Sequence, residues 1–241
     1  MCGRYSTTVG PEEIGKQIGK ALGVRISKQA GRPAYNIAPT DDVLAIVAPE
    51  GVPEARMVRW GLVPPWARKI DGPPRINARV ERLVKDNYYG VAADPPHRAL
   101  IVATEFYEWA KAEQKGKVKP APFGFTVDGA RPFCFAGLCA VNGRVEGGPI
   151  VSAAILTCPT NELVRPIHDR MPAILADVED WLTWMNPGVS VHDALATCTP
   201  LAAERMTARP VSAAFNDARN KSPELLETPD AVEPEQQLSL T

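Results

Sequence analysis

Four short polar stretches carry side chains that could react with a carbonyl group. The chain begins MCGRYS, and removal of Met1, which the small side chain after it favours, would leave Cys2 with a free α-amine beside its thiol. The stretches RINARVE, EFYEW and IHDRMP contribute Asn77, Glu108 and His168. Together they supply an amine, a thiol, an amide, a carboxylate and an imidazole. Nucleophilic attack on a carbonyl with proton transfer requires these groups.

Each of these residues also has a purely structural interpretation, which is favoured when it is taken alone. Cys2 could belong to a frayed terminus, and Asn77 could satisfy backbone groups in a turn. Glu108 could face solvent on a strand, and His168 could be a loop histidine. Only the combination favours a reactive site.

Basic residues are concentrated in one part of the chain, although the formal net charge is −1. The last 20 residues hold five acidic residues and no Lys or Arg, so the remainder has 27 basic against 23 acidic residues. Between Arg56 and Lys85, eight basic residues accompany two acidic ones. Such a stretch could follow a phosphate backbone, although a solvated surface would give the same count.

Two motifs lie within this basic stretch. In RWGLVPPWARK, Trp66 stands beside a double proline and two basic residues and suits stacking on single-stranded nucleic acid. Trp60 is expected in the core. In RINARVE, Asn77, Arg79 and Glu81 alternate as they would along one face of a strand. A structural alternative is that Arg79 pairs with Glu81.

The elements that must position these residues are mostly strands. The 24 prolines and 18 glycines interrupt most long helices. Apolar, β-branched runs bounded by turn residues predict strands in DDVLAIVAPE, RALIVATEFYEW, FGFTVDG, RPFCFAGLCAVNG and IVSAAILTC. Helices are expected from Pro11, from Asp177 to Met185 and in VHDALATC, and a hairpin tip at residues 113–120. The predicted fold class is α+β, with a β-rich core of mostly antiparallel strands and peripheral helices.

One domain over residues 1–225 is expected, followed by an acidic, disordered tail over residues 226–241. No membrane span or signal peptide is evident, so a cytoplasmic monomer is the expectation, associated with the nucleoid when it binds DNA. The five cysteines lack metal-site spacing and the three histidines lie far apart, so neither a disulfide framework, a metal nor a cofactor is predicted. Four of the cysteines are expected to be buried structural thiols, the exception being Cys2.

The sequence resembles the SRAP family, the SOS response-associated peptidases. The resemblance rests on an ordered set of motifs that spans roughly residues 2–225: MCGRYS, YNIAPT, RWGLVPPWA, INARVE, FYEW, FAGL, AILT, IHDRMPAIL and a closing RPVS…N…RN. Many relatives carry a proline and a glycine where this chain has Val102 and Glu105. Glu105 is therefore a competitor of Glu108, although residues three apart on a strand point to opposite faces.

The resemblance implies an abasic-site processing protein that binds single-stranded DNA and joins Cys2 to the ring-opened sugar as a thiazolidine. It implies catalytic roles for Cys2, Asn77, Glu108 and His168. By the same resemblance, the DNA contacts are Arg4, Pro39, Trp66, Arg79, Trp109 and Arg170. Removal of Met1 by the protein itself and strand cleavage as a lyase are secondary expectations.

Two other functions remain open at this point. A cysteine peptidase would use the Cys2 thiol as its nucleophile with His168, as the family name suggests. A non-catalytic module would bind intact and abasic single strands equally through the basic stretch and the tryptophans.

Overall fold

The computed structural model describes residues 2–49, 51–83, 97–110 and 122–227, and these residues form two sheets. The first sheet is antiparallel throughout and has the order β13–β8–β7–β1–β2. Its strands are β1 (Arg4–Thr7), β2 (Ala34–Ile37), β7 (Glu105–Trp109), β8 (Pro122–Val127) and β13 (Met206–Pro210).

The second sheet has the order β11–β10–β4–β3–β6–β9–β12, with β5 paired to β10. An additional β9–β10 pairing closes β10, β4, β3, β6 and β9 into a barrel. Only the β10–β4 and β10–β5 pairs are parallel among those described, which confirms the predicted antiparallel, β-rich core. The strands are β3 (Asp42–Val47), β4 (Glu54–Trp60), β5 (Asn77–Arg79), β6 (Arg98–Ala103), β9 (Phe133–Asn142), β10 (Ile150–Pro159), β11 (Arg170–Pro172) and β12 (Ile174–Leu175).

The run RALIVATEFYEW was expected to form one strand, and that prediction is wrong. It divides at Thr104 into β6 of the barrel and β7 of the first sheet. The Thr104 amide and hydroxyl both donate to the Ser6 carbonyl, at 2.9 and 3.1 Å. These bonds take the place of continued pairing with β9 and turn the chain toward β1, which brings Glu108 beside the amino-terminal residues.

The helices lie outside the sheets, as predicted. A helical segment begins at Pro11 and comprises α1 (Pro11–Ile14), a short π-helix (Gly15–Gly19) and α2 (Lys20–Leu22). The helices α3 (Val178–Met185) and α4 (Val191–Leu195) follow β12. Among the residues that the structure describes, no helix is long and apolar enough to cross a membrane.

Aromatic side chains fill the core behind the amino terminus. Tyr5 packs edge-on against Trp60 and Phe135, with ring centroids 5.3 and 5.4 Å apart. Trp60 is fully buried, which confirms its expected place in the core. The indole nitrogen of Trp60 donates to the Ile76 carbonyl at 3.0 Å and so ties the end of β4 to the residue before β5. This apolar base supports β1, which follows Cys2, and the segment that leads into β5 and Asn77.

The predicted hairpin tip at residues 113–120 lies outside the described residues. So does most of the predicted acidic tail, since the description ends at Glu227. The last described element is a 3₁₀ turn, Pro223–Leu226, whose Leu225 packs with Tyr107 and Phe215. The boundary at residue 225 stays a prediction.

Candidate active site

The register between β1 and β7 places the amino terminus beside Glu108. Arg4 lies opposite Tyr107 and Tyr5 opposite Phe106 in this antiparallel pair. Because the two strands run in opposite directions, the residues that precede Arg4 extend along the end of β7. Cys2 and Glu108 consequently share one small region of the molecule.

Cys2 is fully buried. Its carbonyl oxygen accepts a hydrogen bond of 2.8 Å from the Asn77 side-chain amide, and its Sγ lies 3.7 Å from the Arg4 carbonyl oxygen. Burial raises the pKa of the Cys2 thiol well above its usual range, and the negative charge of Glu108 raises it further. The interpretation of Cys2 as part of a frayed terminus is therefore wrong, and the thiol is held neutral.

Glu108 is buried, with 4% of its surface exposed. Burial raises the pKa of Glu108 from its ordinary value of 4.5 to about 7, against the opposing positive charge of the amino terminus. The charge of Asp169 also raises it, which places the His168–Asp169 segment close enough to act on this carboxyl group. A carboxyl group with a pKa near 7 can both accept and donate a proton at neutral pH. The structural alternative of a solvent-facing Glu108 is therefore wrong.

Replacement of Glu108 by glutamine is expected to stabilise the fold above neutral pH. The folded protein holds the Glu108 proton more tightly than the unfolded chain does, so ionisation destabilises the native state progressively between pH 4.5 and about 7. Glutamine does not ionise, and the gain in the free energy of unfolding should grow across this window to about 2–3 kcal/mol. Denaturant unfolding at pH 5 and pH 8 measures it. A difference that is the same at both pH values would contradict the raised pKa.

Glu105, the competing carboxylate, faces away from Cys2 and belongs to a structural network. Its Oε1 lies 2.9 Å from Arg209 Nη2, and its Oε2 accepts a hydrogen bond of 3.0 Å from the Tyr107 hydroxyl. That hydroxyl lies 2.9 Å from Ser6 Oγ. A Cβ on Gly124 would lie 2.2 Å from Glu105 Oε1, so only glycine leaves room for this carboxylate. The geometry favours Glu108 as the reactive carboxylate.

His168 lies just before β11 and is partly buried, with 23% of its side chain exposed. Its Nδ1 accepts a hydrogen bond of 3.0 Å from the Arg170 backbone amide, and Asp169 Oδ1 lies 3.0 Å from the same nitrogen. Both contacts are made by Nδ1 and orient the imidazole ring, so the other ring nitrogen, Nε2, is the candidate for proton transfer.

β10 joins the elements that carry Asn77 and His168. Asn77 lies opposite Ile155 in the β5–β10 pair, and Arg170 lies opposite Pro159 in the β10–β11 pair. The structure therefore brings Cys2, Asn77 and Glu108 together by direct contact or charge. The His168 segment belongs to the same region, because the charge of Asp169 acts on Glu108.

Arg4 and Trp109 are held by a segment that the sequence argument did not assign to the site. Arg4 Nη1 donates to Asn36 Oδ1 at 2.7 Å and to the Phe215 carbonyl at 2.8 Å. The Arg4 guanidinium carbon lies 5.7 Å from the Trp109 ring centroid, and the Trp109 indole nitrogen donates to Asn216 Oδ1 at 2.7 Å. Asn36 lies in the motif YNIAPT and Asn216 in the closing motif RPVS…N…RN, so the family resemblance was the sequence feature that could have identified them.

Pro39 follows β2, and Trp66 lies in the segment after β4. Pro39 is half-buried and precedes Thr40, whose φ of 81° is a strained conformation for a β-branched residue. Trp66 is 47% exposed. Trp66 lines a groove of about 410 Å³ together with three basic side chains, those of Arg59, Lys69 and Arg75.

Arg79 and Arg170 have different surroundings. Arg79 is exposed at the end of β5, where the chain enters the 3₁₀ turn Val80–Arg82. The expected alternation of Asn77, Arg79 and Glu81 along one strand is therefore wrong at Glu81. The Glu81 carboxylate pairs with Arg170 instead, with Nη1 to Oε1 at 2.5 Å.

Neither the cysteines nor the acidic groups form a metal site in the part of the chain that the structure describes. No group of three or more His, Cys, Asp or Glu side chains there could hold a metal ion. All five cysteines are free and buried. The buried state was expected for four of them, and Cys2 joins them.

Residues 1–218 match the family model described as SOS response associated peptidase (SRAP). The abasic site processing protein YoqW of Bacillus subtilis is 35% identical over 231 residues, which cover 95% of this chain and 100% of that protein. The abasic site processing protein HMCES of Xenopus tropicalis is 28% identical over 268 residues, with 94% of this chain and 78% of that protein covered.

Solved structures are similar in fold. A crystal structure of a protein from Bacteroides thetaiotaomicron superposes with a TM-score of 0.72 at 19% identity, covering 94% of this chain and 99% of that one. A crystal structure of a protein from Bordetella bronchiseptica gives a TM-score of 0.71 at 24% identity, covering 88% of this chain and 100% of that one.

Proposed function

Because this chain belongs to the SOS response associated peptidase (SRAP) family, we propose that it processes abasic sites in DNA by reacting with them through Cys2. It binds single-stranded DNA and forms a covalent thiazolidine with the ring-opened abasic sugar. The crosslink shields the lesion. The observation that carries the proposal is the burial of Cys2 between the Asn77 amide and the Glu108 carboxyl group.

The reaction requires a free α-amine on Cys2, so Met1 must first be removed. An abasic deoxyribose is a hemiacetal in equilibrium with an aldehyde. Glu108 accepts the proton of the sugar C1′ hydroxyl, the bond from C1′ to the ring oxygen breaks, and that oxygen takes up a proton. With a pKa of about 7, Glu108 is ionised in a large fraction of molecules at neutral pH.

Two bonds to C1′ then form in sequence. The neutral amine of Cys2 attacks the aldehyde carbon and gives a carbinolamine, which loses water to form an imine. The Cys2 thiol adds its sulfur to the imine carbon while its proton goes to the nitrogen, closing a five-membered ring. The net reaction joins an aldehyde and an aminothiol and releases one water. An amino-terminal pKa of about 7.7–8.0 leaves part of the amine neutral at working pH.

Asn77 and His168 support these steps. The Asn77 amide holds the Cys2 carbonyl and so fixes the direction of the amine and the thiol. His168 transfers protons through Nε2 during loss of water and during its reversal, since the Arg170 amide occupies Nδ1. Strand cleavage by β-elimination from the imine is a side reaction that ring closure limits.

The DNA strand follows the cationic and aromatic groups around Cys2. We assign phosphate contacts to Arg4, Arg79 and Arg170, because arginine binds phosphate through a fork of N–H donors. Pro39, Trp66 and Trp109 wedge or stack against bases. Contacts of this kind carry no sequence information, which suits a protein that acts on damage.

The burial of Cys2 argues against a cysteine peptidase. A thiol nucleophile acts as a thiolate, and reactive cysteines have a depressed pKa in an electropositive environment. Burial and the nearby Glu108 raise the pKa of Cys2 instead. Addition of a thiol to an imine depends less on a preformed thiolate, because the imine carbon is a stronger electrophile than an amide carbonyl carbon.

Incubation with a single-stranded oligonucleotide that carries one abasic site tests the proposal. A denaturing gel and an intact-mass spectrum should reveal an adduct with a protein that lacks Met1 and a mass lower by one water than the sum of its parts. The same oligonucleotide without the lesion is the control. No adduct from protein with Met1 confirmed absent would overturn the proposal, and equal binding of both strands would favour a plain DNA-binding module.

A further inference from the structure

Glu81 covers the outward edge of the Arg170 guanidinium group. Arg170 Nη1 lies 2.5 Å from Glu81 Oε1, and Nη2 lies 3.0 Å from Oε2, which is a bidentate pair. On its other side, Nη2 donates to the Thr157 carbonyl and lies 3.3 Å from Thr157 Oγ1. The Arg170 Nε is buried and has no hydrogen-bond partner within the described part of the chain. The edge formed by Nη1 and Nη2 is therefore the one available to an incoming anion.

The exposure of the two side chains agrees with this arrangement. The Arg170 side chain is 11% exposed and that of Glu81 is 47% exposed, so the carboxylate stands between the guanidinium and solvent. The hydrogen bonds from Arg170 lower the pKa of Glu81, and the charge of Arg79 adds to this effect. Glu81 is consequently ionised at neutral pH.

A phosphate would need the same edge of Arg170. Arginine binds carboxylate and phosphate with the same planar fork of two parallel N–H donors. Because one edge holds one such anion, the Glu81 carboxylate and a DNA phosphate exclude each other on Arg170. Thr157 holds the guanidinium in place without Glu81, so removal of the carboxylate leaves the fork aimed outward.

We propose that Glu81 is a specificity-determining counter-ion that makes DNA phosphate compete for Arg170 and so weakens reversible binding to undamaged strands. The proposal rests on the proposed function. An intact strand is held only by phosphate contacts and stacking, so it dissociates readily. An abasic strand is retained by the covalent bond to Cys2 and does not need tight reversible binding. Glu81 thus shifts retention from the phosphate backbone to the lesion.

The test compares Glu81→Gln with the unmodified protein on an intact single-stranded oligonucleotide. We expect the dissociation constant at low salt to fall about fivefold, and the slope of log K against log salt to steepen by about 0.7, as for one additional neutralised phosphate. Glu54→Gln is the matched control. Glu54 is 43% exposed, pairs with Arg56 and begins β4, at the opposite end of that strand from Trp60. Its replacement should change neither quantity.

A double-mutant cycle with Arg170→Gln identifies the partner through which Glu81 acts. In the Arg170→Gln background the gain from Glu81→Gln should fall below about twofold, because no fork remains to be uncovered. Unchanged or weaker binding by Glu81→Gln would overturn the proposal and leave Glu81 as a positioning group for Arg170. The adduct assay is separate, so a failure here with the crosslink intact leaves the proposed function standing.

Discussion

Replacement of Cys2 by serine is expected to abolish the denaturant-stable adduct with abasic DNA. Serine keeps the α-amine and a similar volume in this buried position, so the imine can still form. A hydroxyl group is a far weaker nucleophile toward the imine than a thiol, and no thiazolidine can form. The adduct on a denaturing gel should fall below detection, a loss of at least about 10³-fold, because no thiol is present to trap the imine.

Two further variants make this result specific. Cys198→Ser alters another buried thiol, beyond α4, and should leave the adduct yield as it is. Insertion of one alanine between Met1 and Cys2 keeps the thiol but places its nitrogen in a peptide bond, and should also abolish the adduct. Adduct formation by the insertion variant would indicate attack by the thiol alone. Cleavage of added peptides by the Cys2→Ser variant would support a peptidase.

Replacement of Glu108 by glutamine is expected to slow adduct formation by about 10²-fold or more, the usual contribution of a general acid or base. The pH dependence should change as well. Below pH 6.5 the unmodified protein must lose one proton from Glu108 and one from the amine, so the logarithm of the rate rises with pH with a slope approaching two. Without the carboxyl group only the amine titrates, and the slope should fall toward one.

Glu105→Gln is the matched control, because Glu105 is a second buried carboxylate on the opposite face of β7. Its replacement breaks the pair with Arg209 and should leave the slope near two, because Glu105 faces away from Cys2. Single-turnover measurements from pH 5 to pH 8.5 give the rate of adduct formation and its slope against pH for each variant. A Glu108→Gln variant with the normal rate and slope would remove Glu108 from the mechanism.

The two effects expected for Glu108→Gln have opposite signs, and they have one cause. Burial destabilises the charged carboxylate, and this lowers the free energy of unfolding above neutral pH. The same burial moves the pKa into the range where proton transfer is fastest at neutral pH. A gain in stability together with a loss of rate would therefore identify Glu108 as a group placed for reaction.

The amino-acid sequence determined the parts of this protein that depend on local pattern. Alternating and continuous apolar runs predicted β3, β8, β9 and β10, because side-chain periodicity and turn residues act over a few residues. The helical segments at Pro11 and Val178 followed from their first-turn signals for the same reason. The ordered motifs identified the family, and with it the four candidate catalytic residues.

Only the tertiary structure decided how these parts meet. The break at Thr104 could not be predicted from its neighbours, because the apolar pattern continues while the hydrogen-bond partner changes from β9 to β1. The burial of Cys2 and the raised pKa of Glu108 follow from that change of partner. The Glu81–Arg170 pair joins residues 89 positions apart. Contacts between distant residues depend on how the sheets pack, and no local periodicity records them.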